Sequence, residues 1–251
     1  PETVMADFVE AHAHLHLKNR AAALEKFTRL VNNRKLPSSL RRESLRRAAG
    51  ILHAQQNYPE AWKAFELLSE VSTTPGERQE TRMQLAGLAF ELVKRGKGNW
   101  EEVRALCQVV ADDPETPRKV RATAELMKRE TLWEEQRYEE ALQGMEQFLA
   151  TYGDIRREAQ TARLWRGIIL FKLQRLDDAR AAFEQVAALA PGTSPEDKFA
   201  GVEPRELSAA WLALIADRQG NLSDRDHWMR VLQTEFPHSR ETRDLPALFN
   251  R

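Results

Sequence analysis

The chain has 251 residues, 42% of them hydrophobic and 30% charged, the balance of a folded globular protein rather than a disordered one. Lys plus Arg equal Asp plus Glu at 38 each, a formal net charge of zero, which leaves no global basic field to gather nucleic acid or an anionic membrane. The single cysteine, Cys107, excludes an intrachain disulfide and a cysteine-based zinc site, and no apolar run approaches the ~20 residues that span a bilayer.

The chain opens at Pro1 without a methionine or a visible secretory signal, and reads as processed or trimmed. Its first helical stretch, "VEAHAHLHLKNR", sets His12, His14 and His16 at every second position. From there helix formers dominate, and apolar residues recur at i, i+3, i+4 and i+7, as in "AWKAFELLSEV" and "ARAAFEQVAALA". The pattern predicts helix pairs over 3–33, 37–72, 75–113, 115–152, 155–190 and 204–235, then a tail over 236–251, all in one domain. Two interruptions stand out. "KRGKGNW" lengthens one intrapair turn by two residues, and "PGTSPEDKFAGVEPREL" lengthens the connection before the last pair. The 191–206 loop, with Phe199 and Val202, is read either as a benign insertion or as a functional loop.

One element returns through the chain: a turn residue, an aromatic or Leu, two polar residues, a small residue, and a large one four positions on. It reads "NYPEAWKAF", "NWEEVRALC", "RYEEALQGM" and "RLDDARAAF", with weaker copies in "NRAAALEKF" and "NLSDRDHWM". The small slot holds Ala23, Ala61, Val103, Ala141 and Ala179, with Arg225 as the outlier, at separations of 38, 42, 38, 38 and 46 residues. The large slot holds Phe27, Phe65, Cys107, Met145, Phe183 and Met229. A small residue here lets the second helix of a pair lie against the first, and the large residue fills the gap toward the next pair. Acidic residues just before the slot, such as Glu60, Glu101 and Asp177, suit the positive end of a helix dipole.

On these residues the sequence resembles the tetratricopeptide repeat family, whose second helix carries Ala-x3-Phe and a closing Pro. The fullest match is "ARLWRGIILFKLQRLDDARAAFEQVAALAP", with Trp165, Gly167, Leu170, Leu176, Ala179, Phe183 and Pro191 in family slots. The period is longer than the family's 34 residues. The closing "TEFPHSRET" is similar to a longer-repeat branch found in bacterial envelope proteins. The resemblance implies an all-α, right-handed α-solenoid of about six helix pairs, with a concave groove lined by the first helix of each pair. It implies groove positions at His12, Leu15 and His16, then His53, then Phe90 and Lys94. Glu130, Trp133 and Glu134 follow, then Ile168, Phe171 and Lys172, and finally Asp217 and Arg218. His14 would fill the packed slot where the family has Tyr. The mixed groove suits an amphipathic or extended peptide.

Catalytic motifs are absent: there is no H-E-x-x-H, no G-x-S-x-G and no Gly-rich phosphate loop. Cys107, in the large slot, reads as a small core hydrophobe rather than a nucleophile. In "RRESLRR", Arg42 and Arg46 share a face, either as a docking patch for an acidic peptide or phosphate or as a solvated face paired with Glu43. The expectation is a non-enzymatic protein- or peptide-binding scaffold or adaptor. It needs no cofactor and no metal, binds no nucleic acid and does not insert into a membrane. Two alternatives stand beside it: self-association through the ends of the array, and a metal-dependent regulatory module at His12 and His16. The compartment is left open, with the bacterial periplasm or cell envelope preferred to the cytoplasm.

Overall fold

Turn chemistry and apolar period together set where each helix stops. The computed structural model describes residues 2–33, 36–189, 202–245 and 249, and the elements among them are helices. They are α1 (Glu2–His16), α2 (Arg20–Asn32), α3 (Ser38–Ala54), α4 (Tyr58–Val71), α5 (Pro75–Lys94), α6 (Trp100–Asp112), α7 (Arg118–Glu134), α8 (Tyr138–Tyr152), α9 (Arg156–Lys172), α10 (Leu176–Ala187), α11 (Pro204–Arg218), α12 (Leu222–Glu235) and α13 (Arg240–Asp244). The odd-numbered helices from α1 to α11 open the pairs and are called A helices; their even-numbered partners are B helices. The fold is all-α, of the stacked-pair kind that makes an α-solenoid. Most of the lengthened loop, Phe199 included, lies outside the described residues, and Val202 is half-buried.

The pairs share one turn. Each A helix ends on a residue in the left-handed region: Lys18, Gln56, Gln136 and Gln174 at φ near +60°, and Gly96 and Gly220 at +77° and +70°. The next backbone N–H reaches back five residues, as in Asn57 to the Leu52 carbonyl at 2.9 Å and Arg175 to the Leu170 carbonyl at 3.0 Å. This is the Schellman closure. Lys97 and Gly98 are the two residues added after it in the third turn. B helices then start on side-chain caps: Asn19, Asn99 and Asn221 accept from the N–H three residues on, each cap worth about 1 kcal/mol.

The described chain divides into two units, residues 1–131 and 132–251. In unit 1, α3 and α5 each bury two faces. Ala48 and Ile51 of α3 pack with Ala11, Ala23, Phe27 and Leu30, while Leu45 and Ala49 of the same helix pack with Ala61, Phe65, Leu68, Leu85 and Leu88. One turn around α5, Met83, Ala86 and Ala89 join Val103, Cys107, Val110 and Ala124. Cys107 is fully buried, and burial pushes its thiol up to about 12, so it carries no thiolate near neutral pH.

In unit 2, Ala141, Met145, Phe148, Leu164, Ile169, Leu170, Ala179 and Phe183 have no exposed surface. The approach of α9 to α10 is closest at Gly167, where a Cβ would lie 2.7 Å from the Phe183 ring. The sixth small slot departs from the rule: Arg225 stays a quarter exposed and pairs with Asp217 at 3.2 Å and Asp226 at 2.9 Å. The short α13 covers the end of the last pair, burying Leu245 with Ala209, Ala213, Met229 and Leu232. Thr242 of α13 donates to the Phe236 carbonyl at 2.8 Å. Under this cap Glu206 is 9% exposed. Burial, the adjoining Glu241 carboxyl and Glu203 push it up to about 7 against the opposing Ser239 hydroxyl.

Gly167→Ala is expected to destabilise unit 2 by about 1–3 kcal/mol through overpacking on Phe183, read as a lower urea midpoint. Glu206 sets a pH effect of defined sign. Its folded pKa is raised, so the folded state holds the proton more tightly, and stability falls as pH rises from the ordinary carboxyl range through about 7. Glu206→Gln keeps the shape without the charge. It is expected to flatten that fall and to stabilise the chain at pH 8 by about 1–3 kcal/mol, measured by melting across pH 4–9.

Candidate functional site

The A helices of unit 2 carry a run of aromatic rings from one pair to the next. Trp133, in the last turn of α7, meets Trp165 of α9 with ring centroids 5.2 Å apart and also contacts Tyr138 at 5.1 Å. Phe171, near the end of α9, meets Trp211 of α11 edge-on at 4.9 Å. Trp211 in turn stacks flat on Phe183 at 5.7 Å. The three tryptophans are half-buried, as are Ile168 and Leu214 on the same helices. Rings held on one side and open on the other give rigid contact area at little entropic cost.

Charges border this run. The Arg218 guanidinium lies 4.3 Å over the Phe171 ring, and Lys172 is exposed beside it in sequence. Asp217 is held by Arg225, and Arg166 reaches Glu146 at 3.4 Å. An apolar strip edged by cations and a paired acid matches an extended or amphipathic peptide segment. Of the positions expected in the groove, Trp133 is drawn into the strip. Phe171 is 5% exposed, so it supports Trp211 and Arg218 from below and offers little surface of its own. Trp165 holds one of the slots of the repeat pattern; the open edges of Trp165 and Trp211 depend on how α9 and α11 lie side by side.

Unit 1 places its expected positions differently. The inward face of α1 runs through Phe8, Ala11, His12 and Leu15. His12 sits against Phe8 at 4.6 Å and Phe27 at 5.2 Å. Burial, then Arg47, lowers its pKa against the pull of Glu43, and its Nε2 is buried without a hydrogen-bond partner. His14, expected in the packed slot, is instead half-buried with Nε2 3.6 Å from Glu10, and His16 is exposed. The two roles exchange because α1 turns His12 toward Phe27 of its own pair. Among the described residues no three His, Cys, Asp or Glu side chains gather as a metal set. His53 is half-buried at 6.0 Å from Tyr58, whose other face carries Arg95 at 4.9 Å. Phe90 packs edge-on against Trp100 at 4.9 Å, with Lys94 above it at 5.8 Å.

The basic cluster of α3 is neutralised where it stands. Arg46 and Arg47 each reach Glu43 at 2.7 Å, and Glu77 of α5 lies 3.6 Å from Arg46 and 4.0 Å from Arg42. Burial would raise the Glu77 carboxyl. Backbone N–H groups of Thr73 and Thr74, together with Arg42 and Arg46, hold it below the usual range. The docking-patch reading of Arg42 and Arg46 therefore meets two acidic side chains already in place.

A family model described as tetratricopeptide repeat matches residues 128–193, and among curated proteins no sequence matches the chain. Likeness in fold is broad. PilW, a widely conserved type IV pilus biogenesis factor, superposes with a TM-score of 0.63 at 15% identity, covering 98% of this chain and 99% of that one. A signal-transduction ATPase with a tetratricopeptide repeat sensor from Pyrococcus horikoshii gives 0.68 at 13% identity, covering 98% of this chain and 38% of that one. A Rap conjugation gene regulator of plasmid pLS20, in complex with a Phr* peptide, gives 0.56 at 12% identity over 99% of this chain and 79% of that one. Identities this low speak for the fold alone. Over residues 128–193 the repeats found in the sequence match the tetratricopeptide repeat.

Proposed function

We propose that this tetratricopeptide-repeat chain is a non-catalytic scaffold or adaptor that binds a protein or peptide along the faces of its A helices. The observation that carries this reading is the aromatic strip of unit 2, where Trp133, Trp165 and Trp211 are held by ring contacts yet keep open edges. Lys172 and Arg218 at its border favour a segment that brings acidic groups to the apolar anchor. The peptide seen with the Rap regulator and the pilus role of PilW support, by fold, a peptide ligand and a place in the bacterial envelope. No helix among the described residues is long and apolar enough to cross a membrane.

Capture from extract of the source cells, followed by titration of the recovered partner, tests this reading. Trp165→Ala is expected to weaken binding at least tenfold, as loss of a central aromatic anchor does, with the unfolding midpoint measured alongside. Binding indifferent to Trp165→Ala and to Trp211→Ala would remove the strip as the site.

A second reading, self-association, has its own observation. Met5, Val9 and Leu17 of the first pair are 51%, 60% and 77% exposed; Met5, Val9 and Ala13 recur every four residues along one side of α1, and Leu17 follows in the turn just past its end. If copies meet there, sedimentation shows a concentration-dependent dimer that Val9→Glu converts to monomer. A monomer at every concentration ends that reading.

A further inference from the structure

Two glycines of unit 1 lie within A helices where packing does not ask for them. A Cβ at Gly50 of α3 or at Gly87 of α5 would meet nothing within 4 Å, in contrast to Gly167, whose place is demanded by Phe183. A glycine inside a helix costs about 1 kcal/mol relative to alanine, and it admits close approach by another molecule. Gly50 borders a cavity of about 220 Å³ that opens between α3 and α5. Its floor is Phe65 and Leu68, 4% and 2% exposed, and its rim includes Arg46, Glu80 and Gln84.

The rim charges are unequal in freedom. Arg46 is bound to Glu43 and Glu77. Glu80 is exposed, and its carboxylate has no ionic partner among the described residues. An apolar floor beneath a free carboxylate defines the chemistry that fits. We propose that the Gly50 cavity is a side-chain pocket for an aliphatic residue of an extended peptide that carries Lys or Arg within two positions of it, the cation meeting Glu80. The proposal rests on the A-helix faces being peptide-binding surfaces. It adds a recognition point in unit 1 that is separate from the aromatic strip of unit 2.

The test uses a random dodecapeptide display library selected on the full chain, with the selected peptides synthesised and titrated. Peptides carrying the aliphatic–basic pair are expected. Gly50→Leu should cut their affinity at least tenfold and Glu80→Gln by two- to fivefold. Because the space above Gly50 is open, Gly50→Leu should melt no lower than the parent, which separates a filled pocket from a misfolded chain. Peptides that bind equally well to Gly50→Leu but are lost on Trp165→Ala would overturn the pocket and leave the strip standing. A library that yields no binder would overturn both.

Discussion

The close approach of the two helices in each pair is the constraint on which the rest of the molecule depends. Ala23, Ala61, Val103, Ala141 and Ala179 have no exposed surface, and one turn further the large side chains close the space toward the neighbouring pair. A β-carbon too many at this contact has nowhere to go, as the Phe183 ring over Gly167 makes plain. Interiors packed to this density transmit small changes as steric cost. The geometry also decides where function can sit. Where both long faces of an A helix are committed to neighbours, as in α3 and α5, one strip remains for the proposed ligand contacts.

The two units use that strip in opposite ways. In unit 2 it is built up: Trp133, Trp165, Ile168, Trp211 and Leu214 stand on A helices, Trp133 braced on Trp165 and Trp211 on Phe171. In unit 1 it is cut down, with glycines at 50 and 87 and a cavity floored by a B helix. The same repeat thus supplies a ridge in one unit and a notch in the other, a difference of side-chain volume rather than of backbone plan. Scaffold and site are separable here, as they are in most widely used folds.

Much of the fold was legible in the sequence because a repeat displays its packing slots several times over. The small and large slots predicted both the pairing and the burial of Cys107, whose neighbours Val103 and Val110 sit one turn away on α6. The faces of individual helices were harder. His12 and His14 differ by 200° around α1, and which of them points at Phe27 depends on the helix's rotation, a property its own residues do not encode. Arg42 and Arg46 admitted two readings, a docking patch or a paired face, because one partner, Glu77, comes from the next pair. Phe171 lost its exposure to Trp211 and Arg218, which arrive from another helix some 40 residues on. Contacts of that kind are visible only once the helices have been set beside each other.

The shared turn has a consequence for how such a chain can change over generations. Four of the six left-handed positions hold Lys or Gln, residues that sit there at a cost of about 1–2 kcal/mol which glycine does not incur. These positions lie just past the ends of A helices, and their side chains are neither among the paired rings of the aromatic strip nor in the lining of the Gly50 cavity. They form a reserve: each can yield stability without altering a binding surface. A lineage that remodels its ligand contacts at some cost to folding has a ready set of compensating changes, one in each of four pairs.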